Sequence, residues 1–304
     1  MDYKKWLKSE TVRYAILDFL SFVPDRLMVQ LQYKIKLGRK LNLSNPLRYS
    51  EKLQWYKLYY RNQLMPECAD KASVRDYVKS KGLEEILNES YGTYSSLDEI
   101  HWDELPNHFV LKDTLGGGGR SMIFVYDKTK IHFDDIKDKL NSWLNISPNK
   151  KNFGREWLYE NRKHRIIAEK ILINSSSDDL PDYKFFCFDG KVFCSYMMQN
   201  YTLHHEDGVL GFLDKDFHLL KAHRADFKPM IEQPVMPQNY DKMVKIAETL
   251  SQGFPHVRID LYNLQGKIIF GEMTFFNASG YTQFEPDEFD YELGEQFILP
   301  LKNN

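Results

Sequence analysis

Residues 257–280 read VRIDLYNLQGKIIFGEMTFFNASG, and no other stretch limits the fold so tightly. Two apolar runs flank Asn263-Leu264-Gln265-Gly266, a glycine-containing turn, so the segment predicts a β-hairpin. Strand side chains alternate faces, which puts Arg258 and Asp260 on one face of the first strand. Glu272 and Thr274 share a face of the second. A hairpin can bring the two faces together, so that two carboxylates, a hydroxyl and a guanidinium converge. Mg²⁺ prefers such hard oxygen ligands, taking one or two carboxylates and completing its shell with phosphates. Asp260, Glu272 and Thr274 are therefore the candidate metal ligands.

The 304 residues suffice for two domains or one large one with a sizeable core. With 41 Lys and Arg against 43 Asp and Glu, the net charge of −2 gives no global reason to expect nucleic-acid binding. Cys68, Cys187 and Cys194 have neither CxxC nor Cys/His metal spacing, so a reducing, cytoplasmic setting is expected. Cys187 and Cys194 read as packing residues. No apolar run reaches the roughly 18–20 residues needed to span a bilayer. The start resembles a secretion signal superficially, but Asp18 interrupts its apolar part and no small-residue cleavage site follows. The first 45 residues hold nine Lys and Arg and four Asp and Glu. Tyr14, Leu17, Phe19, Leu20 and Phe22 form an apolar face there. It predicts a helical cap docked on the core; the alternative is peripheral contact with an anionic membrane.

Three regions are expected. Residues 1–82 read as helical, with Asp25 capping a helix through Leu27, Val29, Leu31 and Ile35, and Asp70 opening another that ends at Gly82. Residues 83–172 carry short strands, a Gly-rich loop and the amphipathic helix IHFDDIKDKLNSWL. Residues 173–304 carry a hairpin turning at Asp189-Gly190, a second around Asp214-Lys215, the helix NYDKMVKIAETLSQG and the 257–280 hairpin. The class is α+β with antiparallel sheets.

Four further constellations could carry chemistry. In FVLKDTLGGGGRSM, Lys112 near a strand end precedes Gly116, Gly117, Gly118 and Gly119. Glycines let backbone N–H groups approach phosphate oxygens, and lysine adds a compact positive charge. The bland alternative is a flexible hairpin turn, and the Walker order GxxxxGK[ST] is absent. In AEKIL, Glu169 and Lys170 are neighbours on a strand, so one of the two can point inward. Lys184, sharing a face with Asp182 and Phe186, is either a phosphate contact or a solvated edge residue. Lys71 and Arg75, four apart, are either a phosphate-binding pair or an exposed basic face. His204, His205, His218 and His223 lack zinc spacing, and neither GxSxG nor HExxH occurs.

The ordered set resembles the ATP-grasp superfamily, and more closely the TupA-like ATP-grasp proteins of bacterial surface-polysaccharide gene clusters. The segments NPLRYSEKLQWYKLYYRN, CADKASVRDYV, LPNHFVLK, IIAEKIL, LPDYKFFCFDGKV and VRIDLYNLQGKIIFGEMTFF carry the resemblance across most of the chain. It implies ATP held between two α+β subdomains under a mobile Gly-rich lid. It also implies a carboxylate activated as an acyl phosphate and attacked by an amine. By that resemblance Lys71 and Lys112 contact ATP, Gly116 to Gly119 cover the phosphates, and Glu169 with Lys170 lines the adenine hinge. Asp260 and Glu272 hold Mg²⁺, Arg258 steadies charge on the acyl group, and Lys184 touches phosphate. The implied substrates are a carboxylate, for instance a uronic-acid sugar, and an amine.

Three departures stand out. Thr274 occupies the position where many ATP-grasp enzymes have a metal-binding Asn. Asn277-Ala278 stands where TupA-like proteins often have Pro-Gly. A helical segment replaces the usual N-terminal α/β domain. Two other readings remain open: a glycosyltransferase, for which neither a DxD-like metal motif nor a Rossmann half is evident and Asp178-Asp179 sits in a Ser-rich loop, and a non-catalytic nucleotide-binding protein.

Overall fold

The computed structural model describes residues 9–117, 121–149, 151–173, 180–199 and 208–301. His204, His205 and the Asp178-Asp179 pair lie outside them. The chain begins with helices α1 (Glu10–Phe19), α2 (Asp25–Leu37), α3 (Tyr49–Tyr59), α4 (Leu64–Ala69) and α5 (Val74–Ser80). Strands β1 (Ser90–Tyr94), β2 (Phe109–Asp113), β3 (Met122–Val125) and β4 (Ile166–Glu169) form an antiparallel sheet in the order β1-β4-β2-β3. Helix α6 (Phe133–Leu144) covers one face of it, packing Leu140 and Trp143 on Phe109, Leu111, Val125, Ile166 and Ala168. Alternation then leaves Lys112 and Glu169 on the opposite face.

The second sheet has the order β11-β10-β5-β6-β7-β9 and is antiparallel except at its β7–β9 edge. Its main strands are β5 (Asp182–Phe188), β6 (Lys191–Gln199), β7 (Val209–Asp214), β10 (His256–Leu264) and β11 (Lys267–Thr274). The short strands β8 (His223–Arg224), β9 (Lys228–Pro229) and β12 (Phe284–Glu285) border it. Helix α7 (Tyr240–Ser251) buries Met243, Ile246, Ala247 and Leu250 against it, the stripe that helical periodicity predicts. Tyr240 meets Phe185, and the Ala247 carbonyl accepts from Cys187, so the odd residues of β5 face α7. Its even residues face α3, where Tyr49 packs edge-on against Phe186 and Phe188. Lys184 shares that even face.

All three expected hairpin turns form, the one at Asp214-Lys215 folding the chain back so that Leu213 bridges Leu219 antiparallel. Asp189 and Gly190 have φ of 46° and 75°, and Gln265 and Gly266 have φ of 53° and 89°. Positive φ at both central residues matches the strand twist.

The helical expectations need three corrections. Asp25 is the first residue of α2 rather than its cap, and its carboxylate instead takes Lys151 at 2.7 Å and Arg155 at 3.0 Å. Asp70 Oδ1 accepts from the Ala72 and Ser73 N–H groups, and this local turn delays the regular helix to Val74. The N-terminal apolar face docks only in part. Tyr14 stacks on Phe153 at 5.1 Å, but Phe19 and Phe22 stay 75% and 74% exposed.

Residues of α3, α4 and α5 share one core with the larger sheet. Within it His256 is buried among the rings of Tyr49, Phe188 and Phe297, where the imidazole Nδ1–H donates to the Cys187 carbonyl and Nε2 accepts from the Tyr49 hydroxyl, both at 2.9 Å. Burial pulls this imidazole down to about 3. A base depressed in the folded state contributes stability above its unfolded value, near 6.5, and loses it as pH falls. Urea denaturation at pH 7 and pH 4 should show the wild type losing roughly 3 kcal/mol more than His256→Phe over this interval. Parallel losses in the two proteins would remove His256 from this role.

Candidate functional site

Strand β10 supplies Arg258 and Asp260, and β11 faces them with Thr274 and Glu272. From the turn at Leu264–Lys267, uninterrupted pairing would set Asp260 opposite Gly271 and Arg258 opposite Met273. A bulge between Asp260 and Leu261 shifts the register by one residue, so Asp260 pairs with Glu272 and Arg258 with Thr274. Gly271 is the extra residue. A Cβ there would lie 3.0 Å from the Asp260 carbonyl oxygen and 3.2 Å from the Tyr262 ring. On the other side of β10, Asp260 pairs with Lys184 of β5.

Arg258 is the hub of the cluster. Its Nε and Nη2 donate to Asp260 Oδ1 and Oδ2 at 2.7 Å each, a bidentate pair. Nη2 also reaches Glu272 Oε1 at 3.1 Å and Thr274 Oγ1 at 3.0 Å. Nη1 donates to Asn277 Oδ1 and, at 3.4 Å, to the Tyr196 hydroxyl. Lys184 binds Asp260 Oδ2 and lies 2.5 Å from Asp182. Asp182 and Lys184 thus join the hairpin residues on the α3 side of the larger sheet.

The two carboxylates of the rung differ. Asp260 is 1% exposed, and burial pushes its carboxyl up to about 6, against the pull of Arg258 and Lys184. Glu272 has a 43% exposed side chain. The burial it does undergo is outweighed by Arg258, Lys184 and Lys71, which hold it down to about 2. Both are ionised at neutral pH. Asp260 is occupied by protein cations, whereas among the described residues Glu272 Oε2 carries no hydrogen bond. Among those residues no set of three or more His, Cys, Asp or Glu side chains is arranged to hold a metal. Two carboxylates with one open edge still fit Mg²⁺, which keeps waters and takes phosphate oxygens for the rest of its shell. Thr274 Oγ1 donates to Glu272 Oε1 at 3.1 Å, so this hydroxyl orients the glutamate.

The smaller sheet presents Lys112, whose Nζ lies 2.8 Å from Glu169 Oε2, and Arg75 of α5, 3.3 Å from Glu169 Oε1. Lys71 lies ahead of α5 and not on it, so it shares no helix face with Arg75. Its Nζ donates to the Gly116 carbonyl. Burial pulls Lys71 below its ordinary value, and it lies within electrostatic reach of both Glu272 and Lys112. Lys71 thereby links the two sheets. A Cβ on Gly116 would collide with Ser121, whereas one on Gly117 would meet no described residue within 4 Å. Gly118 and Gly119 lie outside the described residues. Glu169 is the inward member of its pair. Lys170 is exposed and meets Glu89 at 3.3 Å, away from the cluster.

Sequence reasoning did not single out several residues of the site. Asp113 takes His164 Nδ1 at 2.8 Å and the Leu115 N–H at 3.1 Å, bracing the base of the glycine loop. Asn277 turns its oxygen to Arg258, and its buried Nδ2 has no partner among the described residues. Ala278, Ser279 and Gly280 follow with φ of 46°, 55° and 75°. A left-handed conformation costs roughly 1–2 kcal/mol for each of the two non-glycine residues.

The family model described as TupA-like ATPgrasp matches residues 51–298. The chain belongs to the TupA-like ATP-grasp family. Among solved structures it is similar to the D-alanine–D-alanine ligase of Helicobacter pylori, at 14% identity over 82% of this chain and 69% of that one, TM-score 0.46. The Bacillus anthracis D-alanine–D-alanine ligase complexed with ATP matches at 13% identity over 74% and 57%, TM-score 0.40. The biotin carboxylase domain of Hydrogenobacter thermophilus 2-oxoglutarate carboxylase, in complex with MgADP, ADP and bicarbonate, matches at 13% over 79% and 48%, TM-score 0.43. The TupA-like chain thus spans little more than half of the B. anthracis ligase. No curated protein gives a match. In this TupA-like chain the site depends on the bulge. Gly271→Val should destabilise by about 1–3 kcal/mol through overpacking against Asp260 and Tyr262. Urea unfolding with wild-type midpoint would show that the bulge tolerates a side chain.

Proposed function

We propose that the chain is an ATP- and Mg²⁺-dependent ligase that joins a carboxylate to an amine through an acyl phosphate. The observation that supports this reading best is the Asp260–Glu272 rung with Arg258, Lys184 and Lys71 around it. That rung has one open carboxylate edge, and Lys112 stands on the neighbouring sheet with Gly116 in the loop that follows it. A carboxylate oxygen of the substrate attacks the γ-phosphorus, the bond to the β,γ-bridging oxygen breaks, and ADP leaves. The amine nitrogen then attacks the acyl carbon, the carbon–oxygen bond to phosphate breaks, inorganic phosphate departs, and the nitrogen loses its proton.

Asp260 and Glu272 would hold Mg²⁺, which when bound screens the polyphosphate charge. The remaining work belongs to the chain. Lys71 and Lys112 bind phosphate oxygens, releasing Gly116 O and Glu169. Lys184, braced by Asp182, keeps Asp260 in place. Arg258, held in place by Asp260, Thr274 and Asn277, would steady the negative charge that develops on the acyl group. Glu169 and Lys170 stand at the adenine hinge in this reading. The polysaccharide setting of the family makes a uronic-acid sugar or its precursor the proposed carboxylate.

Glu272→Gln should lower Mg²⁺-dependent ADP release by a factor of about 100 or more, with the fold intact because the side chain is half exposed. Asp260→Asn should instead cost about 3–5 kcal/mol in stability, since it strips Arg258 and Lys184 of their counter-ion. Wild-type ADP release from Glu272→Gln would sink the metal assignment. Turnover of a nucleotide sugar without ATP would favour a glycosyltransferase, and ATP binding without ADP release across carboxylates and amines a non-catalytic role.

The N-terminal helices suggest where the enzyme works. No helix among the described residues is long and apolar enough to cross a membrane. Leu27, Leu31 and Ile35 form an exposed stripe on α2, continuous in chain order with Phe22 and Phe19, and Arg26, Lys34 and Lys40 are exposed nearby. Apolar residues flanked by cations complement an anionic lipid surface. Wild-type protein should sediment with phosphatidylglycerol vesicles and not with phosphatidylcholine vesicles. The double variant Phe19→Ser, Phe22→Ser should bind at least about tenfold more weakly. Equal sedimentation of both proteins would remove the lipid contact.

A further inference from the structure

We propose that Lys57 and Glu156 are positioning residues that clamp the turn Asn277–Gly280 from two sides and so fix Asn277 against Arg258. The turn needs a clamp. Ala278 and Ser279 sit in a backbone region that L-residues avoid, and the Ser279 N–H to Phe276 O bond at 2.8 Å and the Tyr281 N–H to Ala278 O bond at 3.1 Å bracket it. Helix α3 supplies the first jaw. Gln54 Nε2 donates to the Ser279 and Gly280 carbonyls at 3.0 and 2.9 Å, and Lys57 Nζ donates to the Ser279 carbonyl at 2.9 Å. The segment before Trp157 supplies the second, where Glu156 Oε1 accepts from the Ser279 hydroxyl. Both jaws close on backbone fitted to them. A Cβ on Gly154 would collide with the Ser279 hydroxyl, and one on Gly280 with Gln54.

The charges themselves are out of place for mere packing. Lys57 is 1% exposed and Glu156 8%, and a buried charge is costly to keep. Burial pulls the Lys57 ammonium down to about 7 and pushes Glu156 up, each partly restored by the other. Lys36 and Asp25 are the other charged groups acting on Lys57. The clamp also borders the candidate active site. Tyr159, three residues after Glu156, lies within electrostatic reach of Glu156, Glu272 and Arg258 together. At the far end of the clamped turn, Asn277 Oδ1 receives Arg258 Nη1. Loss of either jaw therefore frees Asn277 from Arg258 Nη1 and removes one of the guanidinium's restraints, while the bidentate Asp260 pair stays.

The test uses the full chain with Lys57→Met, Glu156→Gln and each combined with Ala278→Gly, which removes the left-handed penalty. Hydrogen exchange of peptides covering residues 275–282 reads the turn directly. Tenfold faster exchange in the single variants, slowed severalfold again by Ala278→Gly, is the expected result. The kinetic arm rests on the ligase reading: kcat for ADP release falls tenfold or more with the KM for ATP within twofold, and Ala278→Gly restores part of it. Wild-type exchange in both single variants, or faster exchange that Ala278→Gly does not slow, overturns the clamp. If Lys57→Met does not fold, Glu156→Gln and Ser279→Ala carry the same comparison. Absence of ADP release from the wild type would remove the ligase reading, while the exchange data still decide the clamp.

Discussion

The site depends on one extra residue in β11. Pairing outward from the Gln265-Gly266 turn would place Asp260 opposite a glycine, and Arg258 opposite a methionine. The bulge at Gly271 moves β11 by one residue and makes Asp260–Glu272 and Arg258–Thr274 the facing pairs. Because side chains alternate with a period of two, this shift decides which side chains meet. It also keeps Phe270 and Ile268 in the core on the turn side of the bulge. One residue without a side chain thus reconciles an apolar strand with a charged one.

What the bulge brings together must then be neutralised. Arg258, Lys184 and Lys71 face Asp182, Asp260 and Glu272, three cations against three carboxylates. Asp260 is the buried anchor that spends both oxygens on protein cations, and Glu272 is the open one. This asymmetry suits a site that must stay folded without ligand and still offer a carboxylate edge. Losing the buried partner costs far more than losing the exposed one, because a desolvated guanidinium is left uncompensated.

Much of this was legible in the residues. The hairpin, its turn, the shared face of Arg258 and Asp260, the shared face of Lys184 with Asp182, and the stripe of α7 all follow from periods of 2 and 3.6. Inward Glu169 and outward Lys170 follow from the same rule once one of them is known to be buried. The facing of Asp260 with Glu272 was a fair expectation for an incomplete reason: alternation alone predicts the wrong rung, and the isolated Gly271 was the available signal for a bulge. Asp113–His164, Lys57–Glu156 and Asn277–Arg258 were out of reach, since they join elements 19 to 99 residues apart with no local pattern to mark them. The helix starts near Asp25 and Asp70 were misplaced because both aspartates serve other partners, one of them basic side chains and the other nearby backbone amides.

The helical region before β1 takes a direct part in the site. Helix α3 packs Tyr49 and Tyr56 into the core of the larger sheet and sends Gln54 and Lys57 to the turn that holds Asn277. The segment around α5 sends Lys71 to Gly116 and Arg75 to Glu169 on the smaller sheet. The same stretch of chain therefore touches the arginine end of the site through α3 and the glycine-loop end through Lys71, just ahead of α5. These contacts tie both ends to one segment of chain, and a triphosphate lying between the sheets, in the proposed reading, would have to fit between them.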